Sequence, residues 1–140
     1  MLKLVYPAIF SDNGDGSYTV KFPDLPGCIS YGENQADALL MARDAACGWI
    51  LGELEDGHPL PLKSDAKDVV LKEGELLSLM VLDIDAYAAM YGKNSVKKNT
   101  TIPAWLNTFG EKMHVNYSQL LTNALTELYL ANRDSLSSSK

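Results

Sequence analysis

The strongest constraint on this chain lies near its end, in residues 96–130. A short polar run, Val-Lys-Lys-Asn-Thr-Thr-Ile at 96–102, leads into Pro103 and two apolar-striped segments. Proline in the first turn of a helix loses nothing, because that N–H has no intrahelical acceptor. Trp105, Leu106, Phe109 and Met113 then form a stripe that predicts a helix from Ala104 to about Met113. Asn116 is a favourable N-cap, and Gln119 three residues on predicts a capping box that opens a second helix. Its buried face would be Leu120, Leu121, Ala124, Leu125 and Leu128. One strand and two helices within residues 95–132 fall below the roughly 40 residues at which a chain buries a sufficient core unaided. The segment therefore needs a second copy of itself.

Upstream, the pattern changes to short strands and one long helix. Residues 2–10 supply Val5, Tyr6, Ile9 and Phe10 to a first strand, in which Pro7 argues for an edge or irregular position. Turn formers at 12–17, followed by Tyr18, Val20 and Phe22 in alternation, predict a hairpin with a glycine-rich loop. The acidic spacing of that loop misses the calcium-loop pattern. Residues 28–32 read as a third strand. Residues 34–54 read as a helix apolar on two sides, with Trp49 and Leu51 prominent, and Gly57 as its cap. Gly48 and Gly52 within it imply close packing or a loosened last turn. The run Leu-Leu-Ser-Leu-Met-Val-Leu at 76–82 predicts a strand apolar on both faces, hence central or covered. The order is β-β-β-α-β, then a strand-helix-helix module. The corresponding division is 1–86, a linker at 87–94, the module at 95–132 and a disordered tail at 133–140. The two-sided helix and the apolar last strand suggest a second self-contact, so dimer and tetramer both stay open.

Charge divides at the same place. Residues 1–92 carry 6 Lys and Arg against 15 Asp and Glu, a net of −9; residues 93–140 carry 6 against 3, a net of +3. An acidic body with a mildly basic end suits two partners of different kind, a basic protein and nucleic acid. No run of about 18 apolar residues is present and the start lacks a signal-peptide layout, so a cytoplasmic location without membrane contact is expected. Cys28 and Cys47 follow no metal-ligand spacing and read as buried free thiols.

The sequence Pro23-Asp24-Leu25-Pro26-Gly27-Cys28-Ile29-Ser30-Tyr31-Gly32, followed by Gln35-Ala36-Asp37-Ala38-Leu39 and later Leu60-Pro61, resembles the HicB family of antitoxins over residues 4–85. The resemblance implies an α+β fold whose first domain is a partly degraded RNase H-like unit. It also implies a partner, a HicA-type toxin that cleaves mRNA and has a double-stranded-RNA-binding-like fold. The toxin-contacting face is then expected at Asp12, Asp15, Asp24, Leu25 and Pro26, where complementary charge would speed encounter. Residues 97–106 and 116–121 separately resemble a ribbon-helix-helix DNA-binding module, one of the tails such antitoxins carry. Two positions depart from that pattern: His114 stands where glycine is usual between the helices, and Thr100 where an inward apolar residue is common.

In such a module two strands from two chains pair and enter the major groove of operator DNA. Strand side chains alternate faces. With Ile102 and Thr100 turned inward, Lys97, Asn99 and Thr101 share the face aimed at base edges. The free amides at Tyr117 and Ser118 would hold a backbone phosphate, and Lys93 and Lys98 would add positioning contacts. An RNase H-like body raises the question of metal-dependent cleavage by Asp12, Asp15, Asp24, Asp83 and Asp85. Four of these lie in or beside turns, and no nucleophile–base constellation accompanies them, so neither a catalytic residue nor a metal or other cofactor is expected. The expected function is a ribonuclease-inhibiting antitoxin that represses its own operon as a homodimer. The alternative is a stand-alone transcription regulator with a ligand- or protein-binding first domain.

Overall fold

The computed structural model describes residues 2–91 and 95–138. Four strands, β1 (Lys3–Asp12), β2 (Tyr18–Lys21), β3 (Ile29–Gly32) and β4 (Glu75–Asp83), form one antiparallel sheet in the order β3-β2-β1-β4. Four helices accompany them: α1 (Gln35–Glu55), α2 (Ile84–Tyr91), α3 (Ala104–Lys112) and α4 (Tyr117–Ser138).

The sheet buries one face under α1. Leu4, Tyr6, Ala8 and Phe10 of β1 pair in register with Leu82, Met80, Ser78 and Leu76 of β4, so their side chains share that face. Ala38, Ala42 and Ala46 recur every four residues on α1 and are all fully buried, which lets the helix axis lie close to the strands. Gly32 marks the closest approach: a Cβ there would fall within 2.7 Å of Ala38 atoms. Asn34 caps α1 by accepting the Asp37 amide at 2.9 Å, and Asp37 in return accepts the Glu33 amide at 3.0 Å. At the other end, Gly57 (φ 76°) reverses the chain, with Gly57 and His58 amides donating to Leu54 and Glu53 carbonyls. Gly48 receives the Tyr87 hydroxyl of α2, which explains that glycine as close packing.

Several expectations are corrected. Pro7 belongs to a strand inside the sheet, but β2 pairs only with Ile9–Asp12, so Pro7 has a strand neighbour on one side alone and withholds no ladder bond from β2. β4 is neither central nor covered. It is an edge strand, and Leu79 and Val81 on its outer face are 53% and 56% exposed. The linker expected at 87–94 is helical as far as Tyr91, because alanines at 86, 88 and 89 favour helix and Asp83 caps the turn by accepting the Ala86 amide at 3.0 Å. The tail expected at 133–140 lies in the last helix as far as Ser138, and its final two residues fall outside the described residues. Trp49 is not free for a partner: its indole N–H donates to the Pro26 carbonyl at 3.1 Å, and both Trp49 and Leu51 pack against the core.

Candidate functional site

The C-terminal module forms most of its local structure and leaves its apolar side open. α3 ends at Lys112 with Met113 as its C-cap, and His114 adopts φ 54°, the left-handed turn that the missing glycine would have supplied. The His114 and Val115 amides close this turn on the Glu111 and Gly110 carbonyls. Asn116 then caps α4 by accepting the Gln119 amide at 3.0 Å. The reciprocal half of the expected capping box is absent, since the Gln119 side chain donates to Asn123 at 2.8 Å instead. One contact was not legible beforehand. The Tyr117 ring folds back onto Gly110 of α3, where an added Cβ would collide with it, and its hydroxyl donates to the Asn107 carbonyl at 3.4 Å. The Gly110–Tyr117 notch thus sets how closely the two helices approach.

Among the described residues, the expected strand at 96–102 pairs with no strand of its own chain. A ladder needs a partner, and the sheet of the body offers none to this segment. Lys98, Thr100 and Ile102 nevertheless line one groove of about 370 Å³ together with Leu120, Leu121 and Ala124, and with Tyr117 and Ser118 at the opening of α4. Lys97, Asn99 and Thr101 are exposed and have no side-chain hydrogen bond or ion pair among the described residues. The amides of Tyr117 and Ser118 begin a helix, where no preceding turn provides acceptors. Lys93 lies outside the described residues. Beside the groove the apolar stripe is open to solvent: Trp105 is 71% exposed, and Phe109, Leu121, Leu125 and Leu128 are exposed too. Burying each such side chain contributes about 1.5–3 kcal/mol.

The acidic residues of the body fall into two separate places. Asp12 ends β1 and Asp15 follows in the β1–β2 loop, while Asp24 and Pro26 lie in the β2–β3 loop at the other end of β2. Asp12 and Asp15 fix their own loop, accepting the Gly14 amide at 2.8 Å and the Ser17 amide at 2.9 Å. The Ser17 hydroxyl and amide hold the Asp15 carboxyl below its ordinary range. Asp24 clasps the segment after α1, accepting the Ser64 amide at 2.9 Å and the Ser64 hydroxyl at 2.5 Å. Leu25 is fully buried in the core, so it anchors the turn from beneath and offers no surface. The five carboxylates weighed as a nuclease centre do not converge: Asp83 lies 4.0 Å from Lys3, and Asp85 accepts the Leu2 amide at 2.7 Å. Among the described residues no group of three His, Cys, Asp or Glu could hold a metal ion, and no helix is long and apolar enough to cross a membrane. Cys28 and Cys47 are buried free thiols; burial pushes Cys28 up to about 11 and raises Cys47 as well.

Comparison with known proteins places this geometry. The family model for HicB-like antitoxins of bacterial toxin–antitoxin systems matches residues 6–124. A 14.9 kDa protein from the rep-hol intergenic region of Haemophilus phage HP1 is 34% identical over 103 residues, 74% of this chain and 76% of that one. Antitoxin HicB 1 of Photorhabdus laumondii is 35% identical over 57 residues, 41% of this chain and 37% of that one. A chain of a toxin–antitoxin complex from Streptococcus pneumoniae is 27% identical, with 90% of this chain and 99% of that one covered at a TM-score of 0.58. The fold is also that of the Burkholderia pseudomallei antitoxin HicB, at 23% identity, 89% and 98% coverage and a TM-score of 0.53. A mixed α/β chain with a four-stranded antiparallel sheet, matched by the family model over most of its length, belongs to the HicB-like antitoxin family.

Proposed function

We propose that this chain is the antitoxin of a HicA/HicB pair, with a toxin-binding body at 1–86 and a dimerising, DNA-binding module at 95–132. The body, a partly degraded RNase H-like unit in this reading, binds a HicA-type ribonuclease and covers its RNA-cleaving face. Inhibition is steric and electrostatic, and uses no chemistry of its own. Support comes from the family membership, from the likeness to a chain of a toxin–antitoxin complex, and from the acidic body. The two acidic loops lie at opposite ends of β2, so a toxin engages one of them or spans the strand between.

The module is read as a ribbon-helix-helix dimer that represses the operon encoding the pair. The observation that carries this reading is the alternation at 97–102: Lys98, Thr100 and Ile102 line the groove with α4, while Lys97, Asn99 and Thr101 do not. Two such segments pairing antiparallel over the joined helices would turn Lys97, Asn99 and Thr101 toward base edges, with the Tyr117 and Ser118 amides on a flanking phosphate. Lys98 and Lys93 add phosphate contacts. The direct test mixes purified protein with a HicA-type toxin and measures RNA cleavage. Cleavage is expected to stop near stoichiometric antitoxin, and undiminished cleavage at excess antitoxin would sink the proposal. A gel-shift titration on the DNA upstream of the pair tests the repressor half separately.

A further inference from the structure

α4 is much longer than the helix it packs on. It runs 22 residues, about 33 Å at the helical rise, against nine residues for α3. The Asn116 cap, the Gly110–Tyr117 notch and the groove with Lys98, Thr100 and Ile102 all use its first half. The module therefore leaves the second half of α4 unexplained.

That second half reaches the body. Across residues 117–132 the side chains of Thr126 and Tyr129 are half-buried, and all the others are exposed. Tyr129 packs against the hydrophobic core of the body. With Leu125 and Thr126 it faces Leu2, Leu54 and Asp85 across a groove of about 310 Å³. Round the helix, Leu125, Tyr129 and Thr126 stand at roughly 0°, 40° and 100°, and Leu120, Ala124, Leu128 and Leu121 between roughly 220° and 320°. The body thus sits beside the apolar stripe and shares Leu125 with it.

The platform under Tyr129 is stiff and acidic. It stands where β1 begins, α1 ends and α2 opens. The Leu2 amide donates to Asp85 at 2.7 Å and the Ile84 amide to the Leu2 carbonyl at 3.0 Å, which staples the chain start to α2. Glu53, Glu55 and Asp56 flank Leu54, and the last turn of α1 holds no basic residue. The C-terminal end of a helix adds partial negative charge of its own. Between α2 and α3 the described residues, 95–103, form neither helix nor strand, so the Tyr129 contact is a second tie between the halves.

We propose that Tyr129 latches the acidic body onto α4, and that the latch restrains the module from DNA until it is released. The restraint rests on the DNA-binding reading given above. A latched body holds a net −9 over residues 1–92 beside a module end of net +3 over residues 93–140. It offsets the attraction of the module for phosphates and repels the duplex itself. With Tyr129 released, the covalent chain between Tyr91 and Ala104 joins the halves, and the body moves off the module.

The test uses full-length Tyr129→Ala, with Asn123→Ala as an uncharged control at an exposed position of α4. Alanine favours helix, so α4 is kept in both. In native-state hydrogen exchange, Tyr129→Ala is expected to speed the amides of residues 126–132 and 84–87 at least ~10-fold. Equal exchange in the two variants overturns the latch. In a gel shift at about 10 mM salt, where the screening length is about 30 Å, Tyr129→Ala is expected to bind operator DNA at least ~3-fold more tightly than wild type. The gain should shrink at about 0.1 M salt, where that length is about 10 Å. Faster exchange with unchanged affinity overturns the restraint and leaves the contact structural. Operator binding by none of the three proteins would sink the repressor reading and the restraint with it, and exchange would still decide the latch.

Discussion

The two halves of this chain handle their apolar residues in opposite ways. In the body, β1, β2, β4 and α1 enclose Tyr6, Val20, Ile50 and Leu82, none more than 1% exposed. In the module, residues of the same kind on α3 and α4 line a surface. Local structure is nonetheless well formed in both: α4 has its cap and the α3–α4 turn its hydrogen bonds, as α1 has Asn34 and Gly57. Secondary structure can therefore be encoded within a segment while the core that stabilises it is supplied from outside. The body buries its core within one chain, whereas the module, in the proposed reading, is half of an object.

That contrast can be broken by mutation. The largest effect is expected from Ile50→Ala, which removes a fully buried side chain and should cost about 2–5 kcal/mol in urea unfolding, at any protein concentration. Leu121→Asp comes next and is the sharper test. At a solvent-exposed position of a monomer it would change stability by less than about 0.5 kcal/mol. Within a paired core it should cost several-fold more and abolish the dependence of module melting on concentration. A melting curve insensitive to both Leu121→Asp and dilution would mean that the module stands alone. Gly110→Ala forces the Tyr117 ring out of its notch and is expected to cost about 1–3 kcal/mol, with partial recovery in the double variant with Tyr117→Ala.

The smaller effects probe the surface. Asn99→Ala should lose about 1–3 kcal/mol of discrimination for operator DNA while leaving the dimer intact, whereas Lys98→Ala should weaken binding on all sequences and flatten its salt dependence. Operator selectivity unchanged by Asn99→Ala would place the ribbon one residue out of register. Finally, His114→Gly relieves a left-handed backbone and is expected to raise the melting temperature slightly, by about 0.5–1 kcal/mol of stability.

Legibility in the sequence followed the range of the interactions. Signals confined to one turn were readable: Asn116 as a cap, Gly57 as a stop, and the stripe from Trp105 to Met113 as a helix. What depends on distant packing was not. The apolar run at 76–82 looks the same whether its second face is covered by its own chain or by another, so its edge position could not be read from it. Leu25 sits in a turn of polar and proline residues and gave no sign that its side chain reaches the core. The alanines and tyrosines of α2 resembled a connector because their partner, Gly48, lies in a different helix. At the candidate interface, alternation alone ordered Lys97, Asn99 and Thr101 against Lys98, Thr100 and Ile102. The direction of the Tyr117 ring depended on the absent side chain of Gly110, which no pattern in the sequence marks.

The exposed stripe on α3 and α4 also carries a dosage law. If only paired modules can read DNA, then in dilute solution the number of competent readers rises with the square of the chain concentration. If a single folded body suffices to hold the proposed toxin, degradation that thins the chain would then silence its regulatory half faster than its inhibitory half.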